Sequence, residues 1–346
     1  METTPKAMKK TILLGIRKTL LELESATKVE LSDYLGISFP TISKFLAQME
    51  NDREVFVLGL DHSSGGRRPK RYAYNPEYML GLAIFLERAE IHYLVFNCFG
   101  EIKAQGEKSR VLGGDDLKQL TECIQEITEE FPKIRSISIG VPGSVNNEKI
   151  FFIPGYEQLQ NCDLKGYIEN TFSMPVVIEN DMNASVLGYQ RSKQMQTDLS
   201  IIYVYLGKNG PGAGILVNGE VVRGSTCFSG EVSFVPQYDK QNFQQALENA
   251  SGGKIELNDK AMDALSRLVA SFIAIINPHT IIFSDKEVDI FILDQLIEQS
   301  SNYIPTEHLP EFIVSDWKQD YLFGLKCMCL DLMIKEIKDT TVSNNK

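Results

Sequence analysis

The hydrophobic period of this chain changes at one place, and that change limits the possible folds more than any other feature. Before Asn75-Pro76, a turn signal, most apolar residues recur at helical spacing. From Tyr78 onward, apolar runs of strand length alternate with helical stretches. Such a switch predicts a small helical unit followed by an α/β body. At 346 residues, and at roughly 150 residues per domain, two or three domains are expected. That length buries a core without disulfides or metal clips.

Within the first unit, residues 8–23 carry Ile12, Leu13, Ile16, Leu20 and Leu23 on one helical face. A second short helix fits 28–35 and stops at Gly36. A third begins at Phe39, with Ser38 as N-cap and Pro40 in its first turn. Ile42, Phe45, Leu46 and Met49 form its inner stripe and leave Thr41, Ser43, Lys44 and Gln48 outside. Helix, short helix, glycine turn and third helix is the helix-turn-helix plan. Residues 55–60 and 71–74 then read as two strands of a wing, flanking a tip with Gly65, Gly66, Arg67, Arg68, Pro69 and Lys70.

A helix that reads DNA needs short polar and cationic side chains near its start, and a basic tip suits a narrow minor groove. Ser38, Pro40, Thr41, Ser43 and Lys44 are therefore the candidate major-groove residues, and Gly66, Arg67, Arg68 and Lys70 the candidate wing contacts. Arg71 adds a further cation at the wing. Taken singly, the helix reads equally as a surface helix and the tip as a solvated loop. Their combination within 75 residues is what points to double-stranded operator DNA.

A net charge of −11 argues against wholesale nucleic-acid binding. Its distribution does not. Residues 1–75 hold 12 Lys+Arg against 9 Asp+Glu, a balance of +3, whereas 76–346 hold 23 against 37, a balance of −14. DNA is expected to touch the head and to be repelled by the body. No apolar run approaches the ~20 residues of a membrane span, and the start lacks the apolar core of a secretory signal. A cytoplasmic protein with no membrane partner is expected. The six cysteines (98, 123, 162, 227, 327 and 329) form no Cys-x-x-Cys pair, and the four histidines do not cluster near them. Buried thiols, no metal and no cofactor are the expectation.

In the body, strands are expected at 81–85, 91–96, 134–141, 176–178, 201–206, 213–217, 220–222 and 280–283. Helices are expected at 117–131, 182–190, 261–276 and 320–337. The expected division is a head over 1–75, a first α/β lobe over 76–180 joined by a C-terminal helix at 320–338, and a second lobe over 181–319.

Ser64-Gly-Gly-Arg-Arg-Pro with Asn75-Pro76 resembles the wing of repressors in the ROK family (repressors, open reading frames and kinases). Three stretches of the body extend the likeness along nearly the whole chain, in order. They are Ile139-Gly-Val-Pro-Gly143, Glu179-Asn-Asp-Met-Asn-Ala184, and Gly210-Pro-Gly-Ala-Gly214 leading to Gly224 and Gly230-Glu231. The resemblance implies a winged helix-turn-helix followed by a two-lobed actin-like (ribonuclease H-like) sugar-kinase fold. It also implies a sugar cleft between the lobes and a homodimer or higher homo-oligomer. By resemblance Asp181 occupies the base position of the family's kinases, Asn180 and Glu231 contact sugar hydroxyls, and Gly143 belongs to the same effector site. On local sequence Asn180-Asp181 reads equally as an N-cap for the helix that follows, and both roles are compatible. Glu231 alone reads equally as a solvated carboxylate.

Phosphoryl transfer needs open phosphate-binding backbone and neutralising charge. The family's kinases supply these with an Asp-x-Gly-Gly-Thr turn after the first strand. Here Ala83 stands for the Asp, and Phe85 and Leu86 stand for the glycines. Ser284-Asp285 replaces a later Gly-Gly, and Gly207 to Gly210 reads as a tight hairpin turn. Phe234 stands where zinc-binding members have His, and no Cys lies between Cys227 and Cys327. The expectation is a DNA-binding repressor of the xylose and N-acetylglucosamine repressor type that answers to a sugar effector and is not an enzyme. Two rivals stand beside it: a sugar kinase with a regulatory head, and a regulator that has lost sugar binding and answers to another partner.

Overall fold

A computed structural model describes residues 4–60, 68–87, 90–109, 111, 114–146, 149–153, 156–207, 210–238, 240–248 and 258–335. The head contains α1 (Pro5–Glu22), β1 (Ser25–Thr27), α2 (Lys28–Leu35), α3 (Phe39–Asn51), β2 (Val55–Leu60) and β3 (Lys70–Tyr74). The first helix begins at Pro5, three residues earlier than its apolar stripe, because Thr4 caps it by accepting from the Ala7 N–H at 3.3 Å. A reciprocal capping box fixes the start of α2. The Glu30 N–H donates to Thr27 Oγ1 at 3.2 Å, and the Thr27 N–H donates to Glu30 Oε2 at 2.7 Å. Gly36 ends α2 at φ +63°, a conformation that a side chain would strain. The three strands pair antiparallel in the order β1-β3-β2. β1, three residues long, has no period of its own, and the sequence reading omits it.

Leu13, Ile16, Leu20, Leu31, Ile42 and Leu46 form the buried centre of the head. The same cluster takes in Met79, Cys98 and Met333 from outside it, so head and body share one apolar core. A buried ion pair lies at this junction. The Arg17 guanidinium pairs with Glu54, both side chains being 5% exposed. Arg17 Nη1 also donates to the Ile334 carbonyl at 3.0 Å, and the Tyr74 hydroxyl donates to Glu54 Oε1 at 2.9 Å.

The body holds two five-stranded sheets. The first contains β4 (Leu80–Leu86), β5 (Glu90–Asn97), β6 (Ile102–Ser109), β7 (Ile134–Val141) and β10 (Val176–Asn180), in the order β10-β7-β4-β5-β6. Its connections carry α4 (Asp116–Glu130), the hairpin of β8 (Ser144–Asn146) with β9 (Lys149–Phe152), and α5 (Leu164–Phe172). The second contains β11 (Ile201–Tyr205), β12 (Gly212–Val217), β13 (Glu220–Val221), β14 (Thr280–Ser284) and β15 (Glu311–Ser315), in the order β13-β12-β11-β14-β15. In each sheet a three-strand meander is followed by two strands parallel to its first member. The two halves thus repeat one topology that no short-period repeat in the sequence announces. Connecting the second sheet are α7 (Phe243–Glu248), α8 (Asp259–Ile276) and α9 (Ile290–Ser300).

Two helices sit between the sheets: α6 (Asp181–Ser192) and α10 (Trp317–Lys335). α10 begins at Trp317, three residues before the expected start, and is described as far as Lys335. They cross at bare backbone. A Cβ on Gly188 would lie 1.9 Å from the Asp320 carbonyl oxygen, and one on Gly324 would lie 1.9 Å from that of Ala184. The start of α10 faces the second sheet, where Tyr203 donates to Asp320 Oδ2 at 3.0 Å and Ser315 at 2.6 Å. Its middle faces the first, where the Ser136 hydroxyl donates to the Cys329 carbonyl at 3.1 Å. Its end carries Met333 and Ile334 to the head. Among the described residues no helix is long and apolar enough to cross a membrane.

Two stability measurements follow from these junctions. Gly188→Ala is expected to cost about 3 kcal/mol in urea unfolding, because the methyl group meets rigid backbone. Arg17→Met is expected to cost about 3–5 kcal/mol by leaving Glu54 uncompensated, and Arg17→Met with Glu54→Leu to recover much of that loss.

Candidate functional site

A cavity of about 280 Å³ opens where α6 begins, at the lower end of the roughly 300–1,000 Å³ range of small-molecule sites. Gly143, Asn180, Asp181 and Glu231, expected from the sequence to form one site, all line it. Asn180 ends β10 and caps α6, its Oδ1 accepting from the N–H groups of Met182 and Asn183 at 2.9 and 3.0 Å. Its Nδ2 donates to the Gly143 carbonyl at 2.9 Å, which ties the two strand ends together. The capping role is therefore the observed one. The second Nδ2 hydrogen is what Asn180 has left for a ligand.

Asp181 follows as the first residue of α6, and its Oδ1 accepts from the Met182 N–H at 2.8 Å. Burial, reinforced by the charge of Glu231, pushes its carboxyl from 3.8 up to about 7. Near neutral pH it is present both as acid and as carboxylate, so it can either donate to a hydroxyl or accept from one. Glu287, whose Oε2 accepts from the Leu206 N–H at 2.7 Å, is likewise raised by burial to about 7.

Several members of the site were not singled out from the sequence. Glu179 is buried. It pairs with Arg223 and accepts from Asn183 Nδ2 and from the Asn180 N–H, each at 3.0 Å. Arg223 lines the cavity beside it. The available signal was a glutamate directly after Val-Val-Ile in a strand, where an unpaired charge is costly. Phe234 also lines the cavity, 59% exposed, with its ring 5.2 Å from that of Phe228. Of this aromatic pair, Phe234 alone lines the cavity.

On the head, Pro40 occupies the first turn of α3, and Lys44 is exposed one helical turn further on. Thr41 and Ser43 are half-buried. Ser38 stands at the N-cap position but makes no capping bond, since its hydroxyl lies 2.8 Å from that of Thr41 and the two share a hydrogen bond. Arg68 and Lys70 are exposed, with Lys70 Nζ 4.0 Å from Glu50. Gly66 and Arg67 lie outside the described residues. Arg71 is engaged within the head: its guanidinium is held by Glu30 at 2.8 Å and by the Ser25 carbonyl at 3.0 Å, which ties β3 to α2 and β1.

The sequence model of the ROK family matches residues 88–242. The chain is 32% identical over 229 residues to a putative xylose repressor of Caldicellulosiruptor sp. (strain Rt8B.4), covering 63% of this chain and 57% of that protein. It thus spans less than two thirds of the length of the curated relatives it matches. Among solved structures it superposes on a ROK family transcriptional regulator, a homolog of the E. coli MLC protein. There the TM-score is 0.68 at 17% identity, over 93% of this chain and 98% of that one. A ROK hexokinase from Thermus thermophilus gives a TM-score of 0.60 at 18% identity, over 72% of this chain and 98% of that one. The α/β architecture is shared with both, and the superposition on the regulator extends over more of this chain, 93% against 72%.

A carboxyl raised by burial resists ionisation, so it weakens the fold as pH climbs from its unfolded value of 3.8 through its folded value of about 7. Asp181→Asn is therefore expected to change stability little at pH 4. The substitution should stabilise progressively up to about pH 7 and level off at about 2 kcal/mol, allowing for partial solvation. Urea unfolding across that pH range reads it.

Proposed function

We propose that the chain is a ROK-family, sugar-responsive transcriptional regulator that represses sugar-utilisation genes. One observation carries the reading: a helix-turn-helix head shares its core with a body whose cavity is lined by Asn180, Asp181 and Glu231. Amide and carboxyl groups of mixed protonation suit a polyol. The cavity volume favours a monosaccharide or a derivative of that size.

In this reading two heads of a homodimer engage a two-fold operator. Thr41, Ser43 and Lys44 enter the major groove from the N-terminal half of α3, with Ser38 and Pro40 at its entry. Arg68 and Lys70, with Gly66 and Arg67 before them, follow the adjacent groove. The body has no phosphotransfer role. In support, β4 stays paired with β5 as far as Leu86, and Phe85 and Leu86 are buried, so side chains cover the backbone that a phosphate would approach. The rival with a specific argument is a sugar kinase, since Asp181, titrating near 7, suits a general base. Magnesium-ATP turnover against a sugar panel, abolished in Asp181→Asn, would favour that rival.

The test is fluorescence anisotropy with DNA from the chain's own promoter region, at several salt concentrations, with and without a panel of pentoses, hexoses and their derivatives. Lys44→Ala is expected to weaken operator binding and to lower the salt slope by about 1. One sugar of the panel is expected to shift both operator affinity and the thermal midpoint. A salt slope unchanged by Lys44→Ala would remove α3 from the interface.

A further inference from the structure

Outside the cavity, the turn between β4 and β5 gathers three carboxylates around one buried imidazole. His92 on β5 is 8% exposed and lies opposite Phe85 of β4, the two rings stacked at 4.4 Å and 5°. Its Nε2 is 3.1 Å from Glu90 Oε2 and 3.5 Å from Glu87 Oε2. Its Nδ1 is 3.6 Å from Glu107 Oε2, on the neighbouring strand β6. Despite these short distances Nε2 is buried and makes no hydrogen bond, because neither carboxylate oxygen lies along the ring N–H direction.

A buried ring nitrogen without a hydrogen bond, flanked by carboxylate oxygens, is suited to ligating a metal. A metal sits on the nitrogen lone-pair axis, with the other ligand atoms flanking it. In a tetrahedral site with bonds of about 2.0–2.1 Å, ligand atoms lie about 3.3 Å apart. The observed 3.1 and 3.5 Å bracket that spacing, and the three ligand atoms lie within 4.8 Å of one another. Behind the ring, the Glu107 carboxylate lies 3.6 Å from Nδ1, beyond hydrogen-bond distance, and adds negative charge to the cluster. Lys318 Nζ, 3.5 Å from Glu87 Oε1 and 5.2 Å from the centre of the Phe85 ring, is a cation that the described residues set against these carboxylates.

We propose that Glu87, Glu90 and His92, where β4 and β5 end against each other, bind one first-row divalent transition-metal ion through His92 Nε2 and the two carboxylates. One nitrogen with carboxylate oxygens favours zinc and its neighbours over magnesium or calcium, which prefer all-oxygen sites. The ion competes with Lys318 for Glu87. Because Lys318 lies in the first turn of α10, occupancy acts on the helix that reaches the head.

The test titrates Zn²⁺ into the EDTA-treated full-length chain by calorimetry, beside His92→Gln and Glu90→Gln variants. One ion per chain is expected, with each variant weakening uptake by about tenfold or more. Glu90 is a partly exposed side chain, so Glu90→Gln carries the test if His92→Gln misfolds. Co²⁺ serves as the spectroscopic probe, and visible bands of nitrogen and oxygen ligation without thiolate charge transfer are expected. Absent uptake, uptake unaffected by Glu90→Gln, or a thiolate band from the cysteines would each overturn the site.

Discussion

The crossing of α6 over α10 is the constraint on which the rest of the body depends. At Gly188 and Gly324 the two backbones touch with no room for a Cβ, so the pair moves as one piece. α6 starts at the cavity, where Asn180 caps it and Asp181 opens its first turn. α10 ends at the head, where the Ile334 carbonyl accepts from Arg17. A ligand that draws on Asn180 or Asp181 therefore pulls on a helix that cannot slide independently of the one reaching the head. Side chains interdigitating at an ordinary distance would allow rotamer changes to absorb such a displacement. Backbone contact does not.

The Arg17–Glu54 pair makes sense at the far end of that path. An apolar substitute of similar volume would be about as stable or more so, since desolvating two charges offsets most of their attraction. What the pair adds is geometry. Arg17 must face both Glu54 and the Ile334 carbonyl, and Tyr74 must face Glu54, so helix α1, the wing and α10 meet in one register. Under the proposed function that register is what communication between sugar and operator requires. The coupling is reciprocal: whatever factor the effector imposes on operator affinity, the operator imposes on effector affinity.

The parts of this structure that were legible in the sequence are those with a strong period or a distinctive turn. The helices over 28–35 and 39–51, the strands at 55–60 and 134–141, and the glycine stop at Gly36 follow from apolar spacing and capping chemistry. Strand β6 was missed because Ile102-Lys-Ala-Gln-Gly-Glu-Lys-Ser109 lies at a sheet edge and mostly faces water, so it needs few β-branched residues. Strand β15 and helix α9 went unread because each packs one apolar side on a neighbour already in place. The site divides in the same way. Gly143, Asn180, Asp181 and Glu231 stand in recognisable motifs. Glu179 opens one of those motifs, but its pairing with Arg223 and the Phe228–Phe234 ring contact come about only by folding. Arg71, read from the sequence as one more wing cation, has partners in Glu30 and Ser25 that lie more than forty residues away in sequence.

The net charge of −11 looks different once the fold is in view. The ion pairs of the head leave its balance of +3 unchanged, since Arg17 with Glu54 and Arg71 with Glu30 each withdraw one charge of either sign. Among the described residues the exposed cations of α3 and the wing are Lys44, Arg68 and Lys70. An interface of few cations gives weak non-specific binding and a shallow salt dependence, and the acidic body adds repulsion from phosphate at longer range. Under the proposed function, affinity for an operator comes from two heads acting together. Pairing two weak sites multiplies their effect only when their spacing is held fixed. Within each chain the α6–α10 crossing and the Arg17 node hold head to body, so under that function the rigidity of the body and the few cations of the head answer the same requirement.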